Sequence, residues 1–572
     1  MNNAEYILRT LEQESIDYFF MVPGKLINPI MSCYKKGASE RFRIKPIVAA
    51  HEAGAMAMAD GYARASHKFG VCMVIDGPGT ANAIPFLMAA EADQSPVILI
   101  SGQIPRDFHM MGAIQDSTQG GISTTDMLKN VCGSSYALSN SKTLPRYLKN
   151  AIRGMWSPSK STAYLSISKD VLLEPADGNC QSSICSWDRT QAIDCSSVDR
   201  FIGESLRHTK KVLMIVGARA RDPEFFKTLQ GFSEHYSIPV ATTITSKGLM
   251  NENSECSLGL FGYSGHSSAH HAVLTNEAEL ILLLGYDASQ WTSLAWHKDF
   301  VSHPNLIQID KDPQVIGKYI PVREGIVSDE KTFLDYLNKN AGAILEDGKV
   351  ERKKWIQALE AEAVKTSEVC SQESGVTPKE SPIHPSCIVI EARKVFPKTT
   401  IALADAGVHR SYAAHYWKNY DFNQFMVSTA YGPMGWAVPA SIGVKLAQPT
   451  NPVVVFTGDG CMLMSGLEIQ TAAKLGLDIT FIVFNNGYYG ASLFNNLENE
   501  SYLTRIPQHD WAKVAEGLGL KGFTVEKSSQ LNEVFTECRQ IQGPKLVDVR
   551  CDPTARAPSP IYAETLKTHK GM

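Results

Sequence analysis

Val453-Val-Val-Phe-Thr-Gly458-Asp459-Gly460-Cys461, answered further on by Ile479-Thr-Phe-Ile-Val-Phe484-Asn485-Asn486, is the stretch on which the reading of this chain turns. Each string opens with an apolar, largely β-branched run, and between them Gly466-Leu-Glu-Ile-Gln-Thr-Ala-Ala-Lys474 has helical composition and spacing. The spacing predicts a strand-helix-strand unit. Such a crossover is parallel and right-handed, so Asp459 and Asn486 leave neighbouring strands at their carboxyl ends, where open α/β sheets bind ligands. A carboxylate and an amide oxygen converging there are hard ligands suited to Mg²⁺, which shares its coordination sphere with substrate phosphates. Gly458 and Gly460 let backbone approach a diphosphate, and the amides of Gly460 and Cys461 open the next helix as an anion site.

Working outward, the 572 residues predict three α/β blocks. The first covers residues 1–175 and ends in a Ser- and Asp-rich connector, Ala176 to Thr190. The second, 190–345, holds the apolar runs Lys211-Val-Leu-Met-Ile-Val-Gly217, Leu280-Ile-Leu-Leu-Leu-Gly285 and Leu306-Ile-Gln-Ile-Asp310. A charged helix, Val350 to Val364, and a polar linker, Gln372 to Pro385, lead to the third block, 376–552, and a tail, 553–572. The expected fold class is therefore α/β, with three doubly wound parallel-sheet domains.

Composition narrows the partners. Lys+Arg number 55 against Asp+Glu 59, a net charge of −4, which favours neither nucleic acid nor an anionic membrane surface. The expected partner is a small molecule. Twelve cysteines without a CxxC pair, no secretion signal at Met1 to Thr10 and no apolar run near 18 residues point to a reducing cytoplasm.

Gly-Asp-Gly followed by Asn-Asn at this spacing resembles the signature of thiamine diphosphate enzymes. The resemblance implies that Asp459, Asn486 and the backbone carbonyl of Tyr488 hold the Mg²⁺ that bridges the cofactor's diphosphate. It also gives the blocks names: pyrimidine-binding, central and diphosphate-binding. These enzymes need a carboxyl against the aminopyrimidine ring nitrogen to drive its tautomer change. Ala50-His51-Glu52-Ala-Gly, at the start of an Ala-rich helix, matches that motif and implies a catalytic role for Glu52. By itself, a Glu at a helix start gains only about 0.3–1 kcal/mol from the helix dipole.

Across all three blocks the chain resembles the branch that contains acetolactate synthase. The carriers are Gly77-Pro-Gly-Thr-Ala-Asn82, Ser101-Gly-Gln-Ile-Pro105, Gln115, Ser168-Lys-Asp-Val171 and Gly432-Pro-Met-Gly435. The resemblance implies that Gln115 lines the pocket beside the reactive carbon. It implies that the Gly432 carbonyl accepts from the aminopyrimidine amino group, that Met434 is the wedge bending the cofactor, and that Gly407 and His409 touch the diphosphate. The departures concern the substrate: Lys25 after Gly24, Ile114 in place of a pocket Phe, and Asn495 in place of a specificity Trp. Leu284-Gly-Tyr-Asp-Ala-Ser-Gln-Trp291 replaces an Arg-rich flavin-associated segment, which argues against FAD. Arg410 and Gly285-Tyr-Asp287 are closer to carboxyethylarginine synthase, and Lys25 and Arg410 are candidate clamps for a carboxylate or phosphate.

The activity so implied is a carboligase: decarboxylation of a 2-oxo acid such as pyruvate, then transfer of the acyl-anion equivalent to an acceptor carbonyl. The alternatives are a flavin-free decarboxylase, lyase or carboxyethylarginine-synthase-like enzyme, and a non-catalytic cofactor-binding subunit. The resemblance also implies a homodimer or homotetramer, with Glu52 of one chain reaching the diphosphate site of another.

Overall fold

The computed structural model describes residues 1–35, 41–157, 162–176, 193–373, 380–495 and 501–569, leaving out the side chains of 364–373, 493–495, 501 and 566. The chain forms three six-stranded sheets in which every adjacent pair is parallel. In the first, β1 (Tyr18–Met21), β2 (Lys45–Val48), β3 (Gly70–Ile75), β4 (Val97–Gln103), β5 (Ser134–Leu138) and β6 (Ala163–Ser168) lie in the order β2-β1-β3-β4-β6-β5. The third repeats that order with β13 (Ile401–Ala404), β14 (Phe425–Val427), β15 (Val453–Gly458), β16 (Ile479–Asn485), β17 (Lys521–Val525) and β18 (Lys545–Arg550): β14-β13-β15-β16-β18-β17. The middle sheet differs. Its strands β7 (Val212–Val216), β8 (Val240–Thr242), β9 (Ser257–Leu260), β10 (Leu280–Leu284), β11 (Leu306–Asp310) and β12 (Glu324–Val327) run β12-β11-β10-β7-β8-β9.

The central strands are buried on both faces, which is why they read as continuous apolar runs without alternation. In the expected strand-helix-strand unit the helix starts earlier than Gly466. It begins at Asp459, runs to Ser465, turns through a 3-10 segment at Gly466–Glu468 and resumes over Ile469–Leu475. The charged helix of the second linker spans Lys349–Glu373, and the tail carries a helix, Ile561–Thr568, whose Tyr562 ring packs edge-on against Tyr263 at 5.0 Å. Among the described residues no helix is long and apolar enough to cross a membrane.

The first and third domains join through two helices. Glu52–Ser66, rich in Ala and Gly, packs along Ala437–Ala447. A β-carbon added to Gly61 would overlap the carbonyl oxygen of Ala440, and one on Gly443 would overlap that of Met58. Only glycine permits this backbone-to-backbone approach. Beside it, the buried Arg64 guanidinium bonds Asp60 (2.8 and 2.9 Å), Asp93 (2.9 Å) and the Val427 carbonyl (2.9 Å), and Trp436 Nε1 donates to Asp60. Among the contacts that bind the middle domain are Arg219, bonded to Asp310 and to Gln94 of the first domain, and His266, stacked on His415 of the third at 4.4 Å.

These contacts generate two predictions. Gly443→Val forces the two helices apart, and overpacking of this kind costs about 1–3 kcal/mol, read as a lowered thermal midpoint. The second concerns acid. Burial holds the imidazoles of His266, His270 and His415 below 6.5, His270 at about 4. The unfolded chain then binds protons first as pH falls. Stability is complete above about 6.5 and declines below it, by about 1.4 kcal/mol per pH unit from His270 until about pH 4. Denaturant midpoints compared at pH 7 and pH 5 check this, with His270→Gln, which keeps a neutral polar head, flattening the slope.

Candidate functional site

In a sheet of order 2-1-3, the gap between strands 1 and 3 is the switch point where ligands bind. In the third sheet that gap lies between β13 and β15, and the sequence motifs converge on it. Gly458 pairs with Phe484 across β15 and β16, so Asp459 and Asn486 emerge side by side. Asp459 Oδ1 accepts from the Gly460 amide at 2.9 Å and Oδ2 from the Gly487 amide at 2.7 Å. Burial nevertheless pushes its carboxyl up to about 6. A buried carboxylate with no cation partner among the described residues, beside an amide oxygen at a strand end, fits a hard divalent ion. Asn486 Oδ1 accepts from the Tyr488 amide at 3.0 Å, which orients that oxygen.

The other residues of this group pack around the same crevice. Gly407 starts the helix Val408–Tyr416 and, like Gly458, lies against the His409 ring. His409 is buried, its Nε2 has no partner among the described residues, and burial pushes it down to about 3, so the imidazole stays neutral. A β-carbon on Gly460 would crowd Met434, Tyr489 and Ile506. Cys461 is buried, its thiol donating to the Ala406 carbonyl at 3.1 Å. Gly432 lies in the turn leading to Gly435 and Trp436, whose amides donate to Asp405 Oδ1 at 2.9 and 3.2 Å. The orphaned His409 nitrogen, glycine-lined floor and carboxylate together suit a metal-bridged diphosphate.

A second group occupies the equivalent gap of the first sheet, between β1 and β3. Glu52 starts its helix with His51 as cap, and Asn82 Nδ2 donates to Glu52 Oε2 at 3.0 Å. Gly24 packs on Ile75, with Lys25 exposed beside it. Gln115 lies on the excursion between β4 and the helix Thr124–Leu128, in left-handed backbone (φ 61°), next to an Ile114 that is 86% exposed. Glu52 and Gln115 therefore belong to a different cluster from Asp459. What joins the two within the chain is Glu468, nine residues after Asp459. Its buried carboxylate accepts from the Ala50 and His51 amides at 3.0–3.2 Å and so fixes the entry to the Glu52 helix.

Two substrate candidates sit differently from the rest. Arg410 is buried, its guanidinium 4.3 Å from the Trp291 ring and donating to the Ser428 carbonyl at 3.0 Å. Asn495 ends the short helix Gly490–Asn495, and its side chain lies outside the described residues. Sequence reasoning missed Asn82 as the partner of Glu52, and missed Glu468, Asp405 and Asp76. The last two had a signal: each is a lone Asp ending an apolar strand just before a glycine turn, as Asp459 is.

Comparison with known proteins agrees with this layout. Residues 1–124 match the N-terminal TPP binding domain of thiamine pyrophosphate enzymes, 201–337 their central domain and 405–549 their C-terminal TPP binding domain. A probable acetolactate synthase large subunit of Methanococcus aeolicus is 26% identical over 97% of this chain and 93% of its own. The acetolactate synthase large subunit of Haemophilus influenzae is 27% identical over 96% and 95%. A putative thiamine pyrophosphate-containing protein of Bacillus subtilis, YdaP, is 26% identical over 94% and 90%. With all three of the family's domains present in order on three parallel sheets, the chain belongs to the thiamine pyrophosphate enzymes.

Proposed function

We propose that the protein is a thiamine diphosphate- and Mg²⁺-dependent carboligase, which decarboxylates a 2-oxo acid such as pyruvate and joins the remaining acyl unit to an acceptor carbonyl. The observation that carries this reading is the pair of matching crevices, one offering the Asp459 carboxylate and the His409 Nε2, which has no partner among the described residues, the other the Glu52 carboxyl held by Asn82. Relatives named acetolactate synthase large subunit, alike over nearly the whole chain, favour ligation over simple decarboxylation.

In this reading Asp459, Asn486 and the Tyr488 carbonyl hold Mg²⁺. Gly458, Gly460, Cys461, Gly407 and His409 would cradle the diphosphate, and Gly432 and Met434 would hold the rest of the cofactor. When bound, thiamine diphosphate supplies an electron sink for the carbon from which CO₂ departs. Glu52 holds the aminopyrimidine nitrogen and moves a proton there, with Asn82 fixing one carboxylate oxygen so that the other faces the ring. Gln115 and Ile114 line the substrate side, and exposed Lys25 offers a cation to an anionic group. No flavin is invoked.

The working unit is a homodimer or homotetramer. Supporting this, Glu52 and Asp459 sit in separate clusters of one chain, and the excursion that carries Gln115 exposes Met110, Met111, Ile114 and Ile122, an apolar patch of the kind that marks an interface.

Three measurements test the proposal. Glu52→Gln should bind thiamine diphosphate normally by calorimetry while kcat falls on the order of 10²–10⁴-fold; parental turnover would refute the acid-base role. Asp459→Asn should weaken Mg²⁺ by more than about tenfold, read by metal titration of thiamine diphosphate binding. Pyruvate, supplied with and without an aldehyde or a second 2-oxo acid, should give a new carbon–carbon bond by NMR. Release of CO₂ and aldehyde alone would move the protein to the lyases, and no consumption of any 2-oxo acid by cofactor-loaded protein would leave a binding subunit.

A further inference from the structure

Asp76, the residue after β3, is fully buried and, among the described residues, holds its carboxylate with neutral donors alone. Oδ1 accepts from the Gly77 amide (2.8 Å), the Thr124 hydroxyl (2.8 Å) and the Tyr164 hydroxyl (2.9 Å). Oδ2 accepts from Gln103 Nε2 (2.9 Å) and the Ser166 hydroxyl (2.5 Å). A buried carboxylate is costly unless its oxygens are saturated in this way. A network so placed, with no cation in it, reads as a structural clamp of high stakes.

What it clamps is the excursion between β4 and the helix Thr124–Leu128. Gln103 is the last residue of β4 and Thr124 the first of that helix, so one carboxylate ties both ends of the loop. Gln103 then turns its Oε1 inward, accepting from the Ile104 amide at 2.9 Å and the Ser117 amide at 3.3 Å. Ser117 Oγ donates to the Gln115 carbonyl at 3.3 Å. From the other side Gly77, in a conformation that glycine adopts without strain (φ 73°), leaves no room for a β-carbon, which would sit 2.8 Å from Ser117 Oγ. Beyond Ser117 the loop is open: Met110, Met111 and Ile122 are exposed, and Gln115 itself holds a left-handed backbone. Such strain persists only where the surroundings over-determine it. On its C-terminal side, Asp76 leads straight into the helix Pro78–Ala92, which carries Asn82 to Glu52.

We propose that Asp76 is a positioning residue, which through Gln103, Ser117 and Thr124 holds Gln115 at a fixed place relative to Glu52. This rests on the reading of Gln115 as a pocket residue. The diphosphate cradle lies in another domain, and Asn82 still holds Glu52 without the loop, so the effect should fall on turnover and leave most of the cofactor affinity.

A double-mutant cycle on the full-length, cofactor-loaded protein tests it, with pyruvate as probe and CO₂ release as the rate. Asp76→Asn keeps the volume but sets an amide against donors, and Thr124→Val removes a single strand of the clamp should the first variant fold poorly. Each should lower kcat/KM on the order of 10–100-fold and leave thiamine diphosphate affinity by calorimetry unchanged within about threefold. Combined with Gln115→Ala, neither should cost more than Gln115→Ala alone, because residues that act through one another are non-additive. Full additivity, or weakened cofactor binding of the same size, would overturn the positioning role while leaving Gln115 in the pocket. If Gln115→Ala turned over like the parent, the pocket reading and this inference would fall together, and parental kcat/KM in both Asp76→Asn and Thr124→Val would remove the clamp itself.

Discussion

Gly61 and Gly443 let two helices from opposite ends of the chain meet backbone to backbone, and the placement of every candidate residue follows from that approach. The helix on one side begins with Glu52; the other leads out of the Gly432–Gly435 turn and packs beneath β15, the strand that delivers Asp459. Side chains of ordinary size would spread the pair and turn the two sheets relative to each other. The contact is then sealed by charge: Arg64 lies buried between Asp60 and Asp93, with Trp436 bonded to the same Asp60. Breaking one partner of such a group leaves a charge stranded without water.

On this frame one topology is used twice. The first and third sheets share a strand order, and each opens a crevice at the same switch point, yet the residues in the two crevices differ in kind. One holds a buried carboxylate, an orphaned imidazole nitrogen and glycine floors suited to an anion with its cation. The other holds a half-exposed carboxyl, an exposed lysine and an apolar loop suited to a ring and a small substrate. Fold supplies the location, while the residues at the strand ends choose the chemistry.

Much of this was legible in the sequence where the signal is local. The apolar runs at Val453–Phe456 and Leu280–Leu284 could be placed because parallel strands buried on both faces need no alternation. Gly-Asp-Gly and Asn-Asn read as a ligand site because glycine and oxygen ligands at two strand ends have few other uses. Glu468 was illegible for the opposite reason: its partners include the amides of Ala50 and His51, 418 and 417 positions away, and backbone amides carry no sequence signal. Arg410 read as a candidate anion clamp through the resemblance to carboxyethylarginine synthase. Its place under Trp291 depends on a loop of the middle domain that no local pattern ties to it. Asp76 carries a local signal, an Asp between an apolar strand and a glycine turn, but its partners do not, because its donors are spread from Gly77 to Ser166.

Gly54 faces Glu468 so closely that a β-carbon there would overlap the carboxylate. The absence of a side chain at one position and the presence of an acid at the other are therefore a single heritable trait written in two distant places. A lineage that trades the acid for a shorter residue loses the hold on Ala50 and His51 and frees position 54 to vary; one that first enlarges position 54 must give up the acid. Among diverging relatives the two sites should change together, so the pair marks where the first and third domains have had to evolve as one.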